Sequence, residues 1–561
     1  MQVHFSRRRC SLTGAFLVSL PVVSSAQVAE RLDVSSAGQP TASVSSISNP
    51  RAVSPDGRYV VFDSRAVDLV VPSIEPGDVN IYLRDRVGGT TTLVTLAPNG
   101  DPSNGDVAEA CVSGDGRFVA YTASAFNMVT HDVNGADDVY VWDRTTGLQY
   151  PVSTDASGAF GHDDSFDPDL SADGRCVVFS SYVGTWVAGD AGFPHSDVFL
   201  KDVTSGALEH ISVSASGGAA NGGASGGPSI SAEGQWVAFH SSATNLVANT
   251  VTSGLQVFVR DRSAAATSCV SVSLSGAPGN GASRNATISA DGRSVVFEST
   301  SSDLVGGDTN AASDIFVRDL SANQTRRVSL AWTGLQASGP SFAPLASPDG
   351  RYVAFRSFAP DIVAGDLNGA PDHFVVDTEL NFARIARVNP SSGGADVAAT
   401  PLSLSNRAFD VIVKPTNSSI GLYATERDGS VVRYCTATLS NCLVAIDHTG
   451  AASLSGPDDF HLLGNFVGGQ SLGIVAWSMA PAAAPFHGGL RCVQSPFRRS
   501  PVLQSGAGSP VSCNSQFDFA VSNAYLTSYS IGAGDTLYAQ FIYRALGGIG
   551  LSDALAFEVM P

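Results

Sequence analysis

One short motif recurs six times along the chain and constrains the fold more than any other feature. Ser-Pro-Asp-Gly-Arg at residues 54–58 is followed by five further copies, one identical and four variant, that all keep an acidic residue and the glycine. The acidic residues of the six copies are Asp56, Asp115, Asp173, Glu233, Asp291 and Asp349. They are separated by 59, 58, 60, 58 and 58 residues. A nearly fixed period predicts an array of structural repeats, each built from one supersecondary unit.

Each repeat has the sequence pattern of several short strands. After every motif comes a run such as Tyr59–Ser64, in which a valine and an aromatic residue alternate. This period of two predicts a strand, and the apolar residues between predict that both of its faces are buried. A second run, such as residues 139–142, ends on an aspartate, and a turn leads to a third run. With the apolar segment before each motif, a repeat holds four strands.

Four antiparallel strands repeated around an axis make a β-propeller. The recurring run Ser-x-Asp-Gly-Arg-x-Val-x-Phe resembles the TolB-type propeller repeat over roughly residues 30–395, and Glu233 and Gln235 depart from it mildly. The resemblance implies an all-β protein, a six- or seven-bladed propeller at residues 27–395. A further outer-strand pattern at residues 31–35 leaves the blade number open. Residues 396–432 are either a connector or a degenerate seventh blade, which this strand would complete and thereby remove a sheet edge.

The two ends of the chain predict export and a second domain. Residues 1–26 have three arginines, an apolar stretch and a small-residue cleavage site, as in a secretory signal peptide. No other stretch of about twenty apolar residues follows, so no transmembrane segment is predicted. Residues 433–561 resemble a module that ends many uncharacterised secreted bacterial proteins, and their alternating runs predict a small β-sandwich. The resemblance rests on Tyr-Cys-Thr-Ala at 434–437, Phe-His-Gly-Gly-Leu-Arg-Cys-Val at 486–493, Gln-Phe-Ile-Tyr-Arg at 540–544 and Leu-Ser-Asp-Ala-Leu at 551–555.

Cysteines and charge add to the prediction of an exported protein. Four of the eight cysteines, Cys435, Cys442, Cys492 and Cys513, lie in the last 130 residues and predict two disulfides with three possible connectivities. Sequence proximity favours Cys435–Cys442 and Cys492–Cys513, and a zinc site lacks the usual ligand spacing. The formal net charge is −19 and no basic patch is present, which argues against a nucleic-acid partner. We expect a monomer located outside the cell, at the cell surface or in the periplasm.

Three loops between the second and third strands of a repeat share the pattern Asp-x-Asn-x-x-x-Asp. Carboxylate and amide oxygens at this spacing predict Ca²⁺ ligands, because Ca²⁺ accepts six to eight oxygen atoms. The alternative is that these side chains bond their own loop backbone in Asx turns. The residues concerned are Asp132, Asn134 and Asp138; Asp308, Asn310 and Asp314; and Asp366, Asn368 and Asp372.

No catalytic residue is predicted. His131, His162, His195 and His373 fall in the same loops, but no pairing of a base with a nucleophile can be inferred from their spacing. Gly-Gln-Ser-Leu-Gly at 469–473 has the spacing of a nucleophile elbow, which needs a helix after the serine. Here a strand pattern and two prolines follow, so a turn between strands is predicted.

The long loops of a propeller open on one face, which is the candidate binding face. We therefore expect a secreted or cell-surface binding protein whose ligand is a protein or a polysaccharide. The alternatives are an extracellular hydrolase or lyase with its site at the propeller mouth, and a periplasmic envelope scaffold like TolB. Because no peptidase domain accompanies the propeller, binding is favoured over catalysis.

Overall fold

The structure is a computed structural model. It describes residues 28–41, 43, 45–70, 78–189, 194–248, 254–331, 333–362, 371–378, 385–387, 399–404, 411–415, 423–426, 432–434, 445–449, 461–467, 472–478, 481–486, 489–493, 498–499, 503–504, 515–522, 526, 529, 531, 536–545 and 548–558. The predicted signal peptide, 1–26, lies outside this part of the chain.

The six repeats form a six-bladed β-propeller. Each blade is a four-stranded antiparallel sheet in which the strands follow chain order from the innermost to the outermost. The first three blades comprise β2 (Ser45–Ser46), β3 (Tyr59–Ser64), β4 (Asn80–Asp85) and β5 (Thr90–Leu93); β6 (Val107–Val112), β7 (Phe118–Ala123), β8 (Asp138–Asp143) and β9 (Leu148–Pro151); and β10 (Ser165–Leu170), β11 (Cys176–Ser181), β12 (Asp197–Asp202) and β13 (Leu208–His210). A 3₁₀ turn, Gly184–Trp186, follows β11.

The other three blades repeat the same order. They comprise β14 (Ser225–Ile230), β15 (Trp236–Ser241), β16 (Gln256–Asp261) and β17 (Ala266–Cys269); β18 (Ser283–Ile288), β19 (Ser294–Ser299), β20 (Asp314–Asp319) and β21 (Gln324–Arg327); and β22 (Ser341–Ala346), β23 (Tyr352–Ser357), β24 (Asp372–Asp377) and β25 (Ile385–Arg387). The six second strands have the bounds predicted from the alternating pattern. Their valine and aromatic side chains are buried between blades, as the example of Phe297 shows at 0% exposure.

The Ser-x-Asp-Gly-Arg motif is the turn between the first and second strands. In the first blade the Ser54 hydroxyl donates to Asp56 (2.6 Å) and accepts the Tyr59 N–H (2.9 Å). The glycine has a positive φ, +69° at Gly116, where a side chain would be strained. A Cβ on Gly116 would also lie 2.0 Å from the Tyr59 ring of the preceding blade. The glycine is therefore needed both for the turn and for the close packing of neighbouring blades.

The arginine of the motif joins the second strand to the end of the third. Arg117 donates to both carboxylate oxygens of Asp143 (3.0 and 2.8 Å), and Arg58 and Asp85 make the same pair one blade earlier. The hydrogen bond from Arg117 lowers the pKa of Asp143 to about 2. These pairs hold together the face of the propeller that carries the tight turns, which we call the turn face.

We expect acid to destabilise the propeller between pH 4 and pH 2. A carboxylate whose pKa is lower in the folded state stabilises the fold above its unfolded pKa of about 3.9, and that stability is lost as pH falls toward the folded value. The melting temperature should fall across this window, and Arg117→Met should reduce the fall by a few degrees. Calorimetry of both proteins from pH 5 to pH 2 measures the difference. An identical pH dependence in the two proteins would contradict this role of the ion pair.

Backbone hydrogen bonds link the turn face of successive blades around the axis. The residue after the serine of each motif donates its N–H to the equivalent carbonyl of the next blade: Gly114 to Ala172, Ala172 to Ala232, Ala232 to Ala290 and Ala290 to Pro348, at 2.6–2.9 Å. Pro55 and Pro348 occupy this position in the first and sixth blades. Proline has no N–H, so neither residue leaves an unpaired donor where the series begins and ends.

A further four-stranded antiparallel sheet follows the sixth blade. It comprises β26 (Ala399–Leu404), β27 (Val411–Pro415), β28 (Tyr423–Glu426) and, at its outer edge, the N-terminal strand β1 (Val28–Arg31). The outer strand predicted at 31–35 thus lies at 28–31. The second strand of each blade contacts the innermost strand of the next, and this relation continues from β23 to β26. Leu32, directly after β1, is buried in the core of the first two blades.

Three sheets are formed by strands beyond residue 431. They are a six-stranded sheet of β29, β32, β35, β36, β38 and β39, a three-stranded sheet of β30, β31 and β37, and a hairpin of β33 and β34. Their bounds are β29 (Val432–Tyr434), β30 (Ala445–Thr449), β31 (His461–Val467), β32 (Leu472–Ser478), β33 (Pro481–Phe486), β34 (Gly489–Val493), β35 (Arg498–Arg499), β36 (Leu503–Gln504), β37 (Ser515–Ala520), β38 (Thr536–Ala545) and β39 (Gly548–Glu558). A separate β-sandwich domain here stays a prediction.

Two further findings concern segments that the sequence singled out. The strand β32 begins at Leu472, within Gly-Gln-Ser-Leu-Gly, so a strand and not a helix follows the serine. Among the helices of the described residues, none is long and apolar enough to cross a membrane.

Candidate functional site

The face opposite the turn face carries the long connections between the second and third strands and those between blades. We call it the long-loop face. Of nine exposed large hydrophobic side chains among the described residues, six lie in these connections. They are Leu96, Phe126, Val133, Leu274, Leu335 and Phe358, with Val133 as much as 91% exposed. We therefore take the long-loop face as the candidate contact surface, since binding residues usually lie on the loops of a rigid scaffold.

Arg51 crosses the axis of the propeller. It precedes the first motif, and its Nη2 donates to Ser229 of the fourth blade (3.0 Å) and to the Ile288 carbonyl of the fifth (2.5 Å). Its Nε lies 3.2 Å from Oδ2 of Asp169 in the third blade. Burial raises the pKa of Asp169, and the charge of Arg51 opposes this rise. One ion pair therefore ties together blades that are not neighbours.

The turn-face end of the axis is too small for a ligand. A cavity of about 40 Å³ is lined there by small apolar residues from all six blades, including Pro55, Gly114, Ala172, Ala232, Ala290 and Pro348. This volume holds little more than a water molecule or two. Ligand binding along the axis is therefore to be sought at the other end.

One position near the long-loop face differs in every blade. The fifth residue of the second strand is polar in every blade, and its identity changes each time: Asp63, Thr122, Ser180, His240, Glu298 and Arg356. The buried valine and aromatic positions of the same strands hardly vary. The fold therefore does not specify the side chain at this position, which is buried in three blades (Thr122, Ser180 and Glu298) and exposed at Arg356.

Innermost strands add further polar groups beside this position. Five of the innermost strands contain a β-bulge, and the third residue of each of these strands has a left-handed backbone with φ between +50° and +59°. These residues are Glu109, Asp167, Gly227, Asn285 and Ala343. The bulge turns the N–H of this residue toward the preceding blade. The Asp167 N–H donates to Glu109 (2.7 Å), and the Ala343 N–H donates to Glu298 (2.8 Å).

Glu109 and Asp167 form an adjacent pair of carboxyl groups. Oε2 of Glu109 also accepts the Thr122 hydroxyl (2.8 Å). Burial, and then the charge of Glu109, raise the pKa of Asp167 to about 6. A carboxyl group whose pKa lies near neutrality can both donate and accept a proton, which is the property of a general acid or base.

The polar arc continues through the fourth and fifth blades. Arg284 donates to Glu298 (2.6 Å), and Glu298 is only 3% exposed. His240 lies against Gly227, where an added Cβ would come within 2.7 Å of the ring. Burial, and then the charge of Arg284, lower the pKa of His240 to about 4, so the imidazole is neutral at neutral pH. Two positions of each blade contribute to this arc: the third residue of the innermost strand and the fifth residue of the second strand. We call the side chains at these two positions, from Glu109 to Arg356, the mouth arc.

The loop around Asp308 is filled by side chains of the protein. Arg327 lies 3.0 Å from Asp308 and 3.4 Å from Asp314, and Gln336 donates to Asp308 (2.8 Å). Asn310 donates to Asp314 (3.3 Å) and accepts the Ala312 N–H in an Asx turn. A guanidinium thus occupies the space between the two carboxylates that we predicted to bind Ca²⁺.

The loop around Asp132 has the same Asx turn without the arginine. Asn134 donates to Asp138 (2.8 Å), Ser153 donates to Asp138 (2.6 Å), and the Tyr140 hydroxyl donates to Asp132. Burial raises the pKa of Asp138 to about 7. In the third loop, Asp366 and Asn368 lie outside the described residues, and Asp372 is the buried first residue of β24. Calcium at these loops stays a prediction, while the observed contacts are those of the Asx-turn alternative.

The remaining candidate residues do not come together. His131 and His162 are exposed and His195 is half-buried, and within the described ranges no group of three or more histidine, cysteine, aspartate or glutamate side chains is arranged to hold a metal ion. Cys111 and Cys176 are buried free thiols, and Cys269 is a half-buried free thiol. Cys435, Cys442 and Cys513 lie outside the described residues, and of Cys492 only its place on β34 is described, so the disulfides stay a prediction.

No family model and no curated protein matches the chain. Among solved structures, it is similar to a TolB protein of Agrobacterium tumefaciens (17% identity, 51% of this chain and 81% of that one, TM-score 0.31). It is also similar to a prolyl endopeptidase (11% identity, 76% and 56%, TM-score 0.42) and to the tricorn protease (12% identity, 89% and 38%, TM-score 0.25). The chain spans little more than half of the endopeptidase and less than half of the tricorn protease. At these identities and TM-scores, the similarities say nothing about activity.

Proposed function

We propose that this protein is an exported binding protein that uses the long-loop face of its propeller to hold a protein or polysaccharide ligand. The observation that supports this most directly is the concentration of exposed apolar side chains on that face. On the turn face, three of the motif arginines pair with aspartates and the axial cavity is small. Loops on a rigid β scaffold are the usual place for binding residues.

The test is a screen of the mature protein against glycan and protein arrays, followed by surface variants. Phe126→Ser with Leu335→Ser removes two apolar side chains from the long-loop face. Val87→Ser with Leu148→Ser is the matched control, because these residues are 77% and 55% exposed but lie outside the long loops. Binding should be lost in the first variant and kept in the second. Equal loss in both, or binding that neither pair affects, would contradict the proposal.

A second candidate function is hydrolysis or elimination at the mouth arc, and the Glu109–Asp167 pair favours it. General acid–base catalysis uses a group whose pKa lies near the working pH, and burial and the charge of Glu109 raise the pKa of Asp167 to about 6, so its carboxyl group can give up and take back a proton in mildly acidic to neutral solution. Assays on peptide and polysaccharide substrates, with Asp167→Asn as the inactive variant, test this function. Turnover that Asp167→Asn leaves unchanged would exclude the pair. A specific partner from the bacterial envelope without any turnover would instead support the TolB-like scaffold.

We also propose that the sheet of β1, β26, β27 and β28 is a seventh blade that closes the ring by strand exchange. Two observations support this proposal. The strand β1 pairs antiparallel with β28, from Val28 opposite Glu426 to Arg31 opposite Tyr423, and β26 contacts the sixth blade. Closure in this way joins the two ends of the propeller sequence and removes an open edge.

Deleting residues 28–31 from the mature protein should therefore lower the unfolding free energy by about 2–3 kcal/mol, the net worth of a few hydrogen bonds. Urea denaturation measures the loss. A synthetic peptide of residues 27–33 should restore stability to the deleted protein, because it would refill the vacated edge. Unchanged stability after deletion would show that β1 does not close the ring.

A further inference from the structure

The sixth blade differs from the other five at two neighbouring positions near the long-loop face. Arg356 on β23 is paired in register with His373 on β24, so their side chains lie on one side of the sheet. In the other blades the residue at the position of His373 is aliphatic: Ile81, Val139, Val198, Val257 and Ile315. In the sixth blade an imidazole thus replaces an aliphatic core side chain. It lies beside Arg356, the most basic residue of the mouth arc.

His373 is buried, and its ring nitrogens have no partners in the part of the chain that the structure describes. The residue is 4% exposed, and neither Nδ1 nor Nε2 has a hydrogen-bond partner among the described residues. An imidazole that is withdrawn from water and left unpaired costs about 1–3 kcal/mol. The other five blades avoid this cost with an aliphatic side chain, so the imidazole at this position is not required by the propeller fold.

Arg356 is exposed, and its guanidinium makes no ion pair within the described part of the chain. Its only described contact is with the ring of Phe358, whose centroid lies 5.2 Å from the guanidinium carbon. Phe358 is 49% exposed and packs edge-on against Phe342. The arginines of the turn motif in the first three blades are instead paired with aspartates. A cation, an unpaired imidazole and an exposed aromatic ring thus lie side by side.

We propose that Arg356 and His373 form a subsite for the carboxylate of an acidic sugar in a polysaccharide ligand. This inference rests on the proposed binding function and names the ligand class. A guanidinium presents parallel N–H groups that match a carboxylate, and a neutral imidazole adds one more donor. The face of Phe358 offers an apolar platform for the sugar ring beside the charge.

The electrostatics around His373 agree with a neutral donor. Burial, and then the charge of Arg356, lower the pKa of His373 to about 4, so the ring carries one N–H at neutral pH. Within the described residues this N–H has no acceptor. An anion would satisfy both side chains, whereas a cation would be repelled by Arg356.

The mouth arc favours a polysaccharide over a peptide as the source of the carboxylate. Peptides are usually bound by strand addition to an open edge or by docking a helix in an apolar groove. The innermost strands here are bulged in five blades, and the arc presents carboxylates, an amide and a guanidinium in place of a groove. Hydroxyl groups of a sugar chain both donate and accept, so they suit such a mixed surface.

The experiment is a calorimetric titration of the mature protein with sodium glucuronate, with glucose as the neutral probe. Glucuronate should bind at least tenfold more tightly than glucose. Arg356→Gln and His373→Val should each weaken glucuronate binding by about ten- to a hundredfold, the worth of a hydrogen bond to a charged group. Arg293→Gln is the control, because Arg293 is exposed but belongs to the turn face, and it should bind like the wild type.

His373→Val also separates a binding role from a structural one. Valine is the residue of three other blades at this position, so the variant should melt at or above the wild-type temperature while it loses glucuronate. Failure of any wild-type binding to glucuronate, or unchanged binding by His373→Val, would overturn the subsite. A peptide with a free C-terminus that binds more tightly than glucuronate would overturn the choice of a polysaccharide. An array ligand held equally well by Arg356→Gln would overturn the subsite and leave the proposed function standing.

Discussion

Replacing Phe297 by alanine is expected to lower the unfolding free energy by about 3–5 kcal/mol, the range for a large core truncation. The ring is fully buried and stacks on Phe316 at 5.8 Å within its own blade. It also belongs to a cluster with Ala238 and Val257 of the preceding blade. Its loss would leave a cavity between two rigid sheets that cannot close over it, so the cost should lie within this range and not below it.

Urea denaturation of the mature protein, followed by tryptophan fluorescence, measures this cost. Phe126→Ala is the matched control, because it removes the same ring from a site that is 63% exposed. It should change the unfolding free energy by less than about 0.5 kcal/mol. A cost below about 1 kcal/mol for Phe297→Ala would contradict the packing of successive blades described above.

Removing the carboxylate of Asp169 should cost about 3–5 kcal/mol, because it would leave the charge of Arg51 without its partner across the axis. The carboxylate also accepts the N–H groups of Leu170 and Ile230. Asp169→Ala would leave these two donors unpaired in the interior. The double variant Arg51→Met with Asp169→Leu removes both charges and should recover much of the loss, since apolar pairs often replace buried ion pairs at little cost.

A double-mutant cycle in urea, built from Arg51→Met, Asp169→Leu and the two together, isolates the interaction of the two charges. The exposed pair of Arg65 and Asp106, with side chains 55% and 65% exposed, is the control. Asp106→Ala should cost less than about 1 kcal/mol, as for other surface ion pairs. A similar small cost for Asp169→Ala would show that the axial pair is solvated and does not hold the blades together.

The second strands of all six blades begin and end where the alternating pattern placed them. This agreement has a local cause, because strand alternation and the Ser-x-Asp-Gly-Arg turn depend on residues within a few positions of one another. Repetition then multiplies the signal, since each copy that agrees in spacing supports the others. The N-terminal strand was placed three residues too late, because the ladder it joins is formed by residues almost four hundred positions away.

The loop around Asp308 shows which contacts a local pattern can indicate and which it cannot, while calcium at this loop stays a prediction. Asp308 and Asp314 are close in sequence, and the sequence pattern correctly indicated that their loop is turned by an asparagine. The guanidinium between them comes from Arg327 on the outermost strand, and no spacing rule connects that residue with the loop. Two neighbouring carboxylates attract a cation, and in this structure the guanidinium of Arg327 lies between them.

By itself, the sequence determined the repeat, the strands, the turns and the face that carries the long loops, because each of these follows from neighbouring residues and from their periodic return. Comparison of the six copies at the fifth position of the second strand would have revealed the mouth arc as well. Only the tertiary structure decided which side chains meet there. Arg51 and Asp169 are more than a hundred residues apart, and Asp167 reaches Glu109 only through a bulge on a neighbouring blade. Contacts of this kind depend on how blades are stacked around an axis, and that stacking is a property of the whole propeller and not of any one repeat.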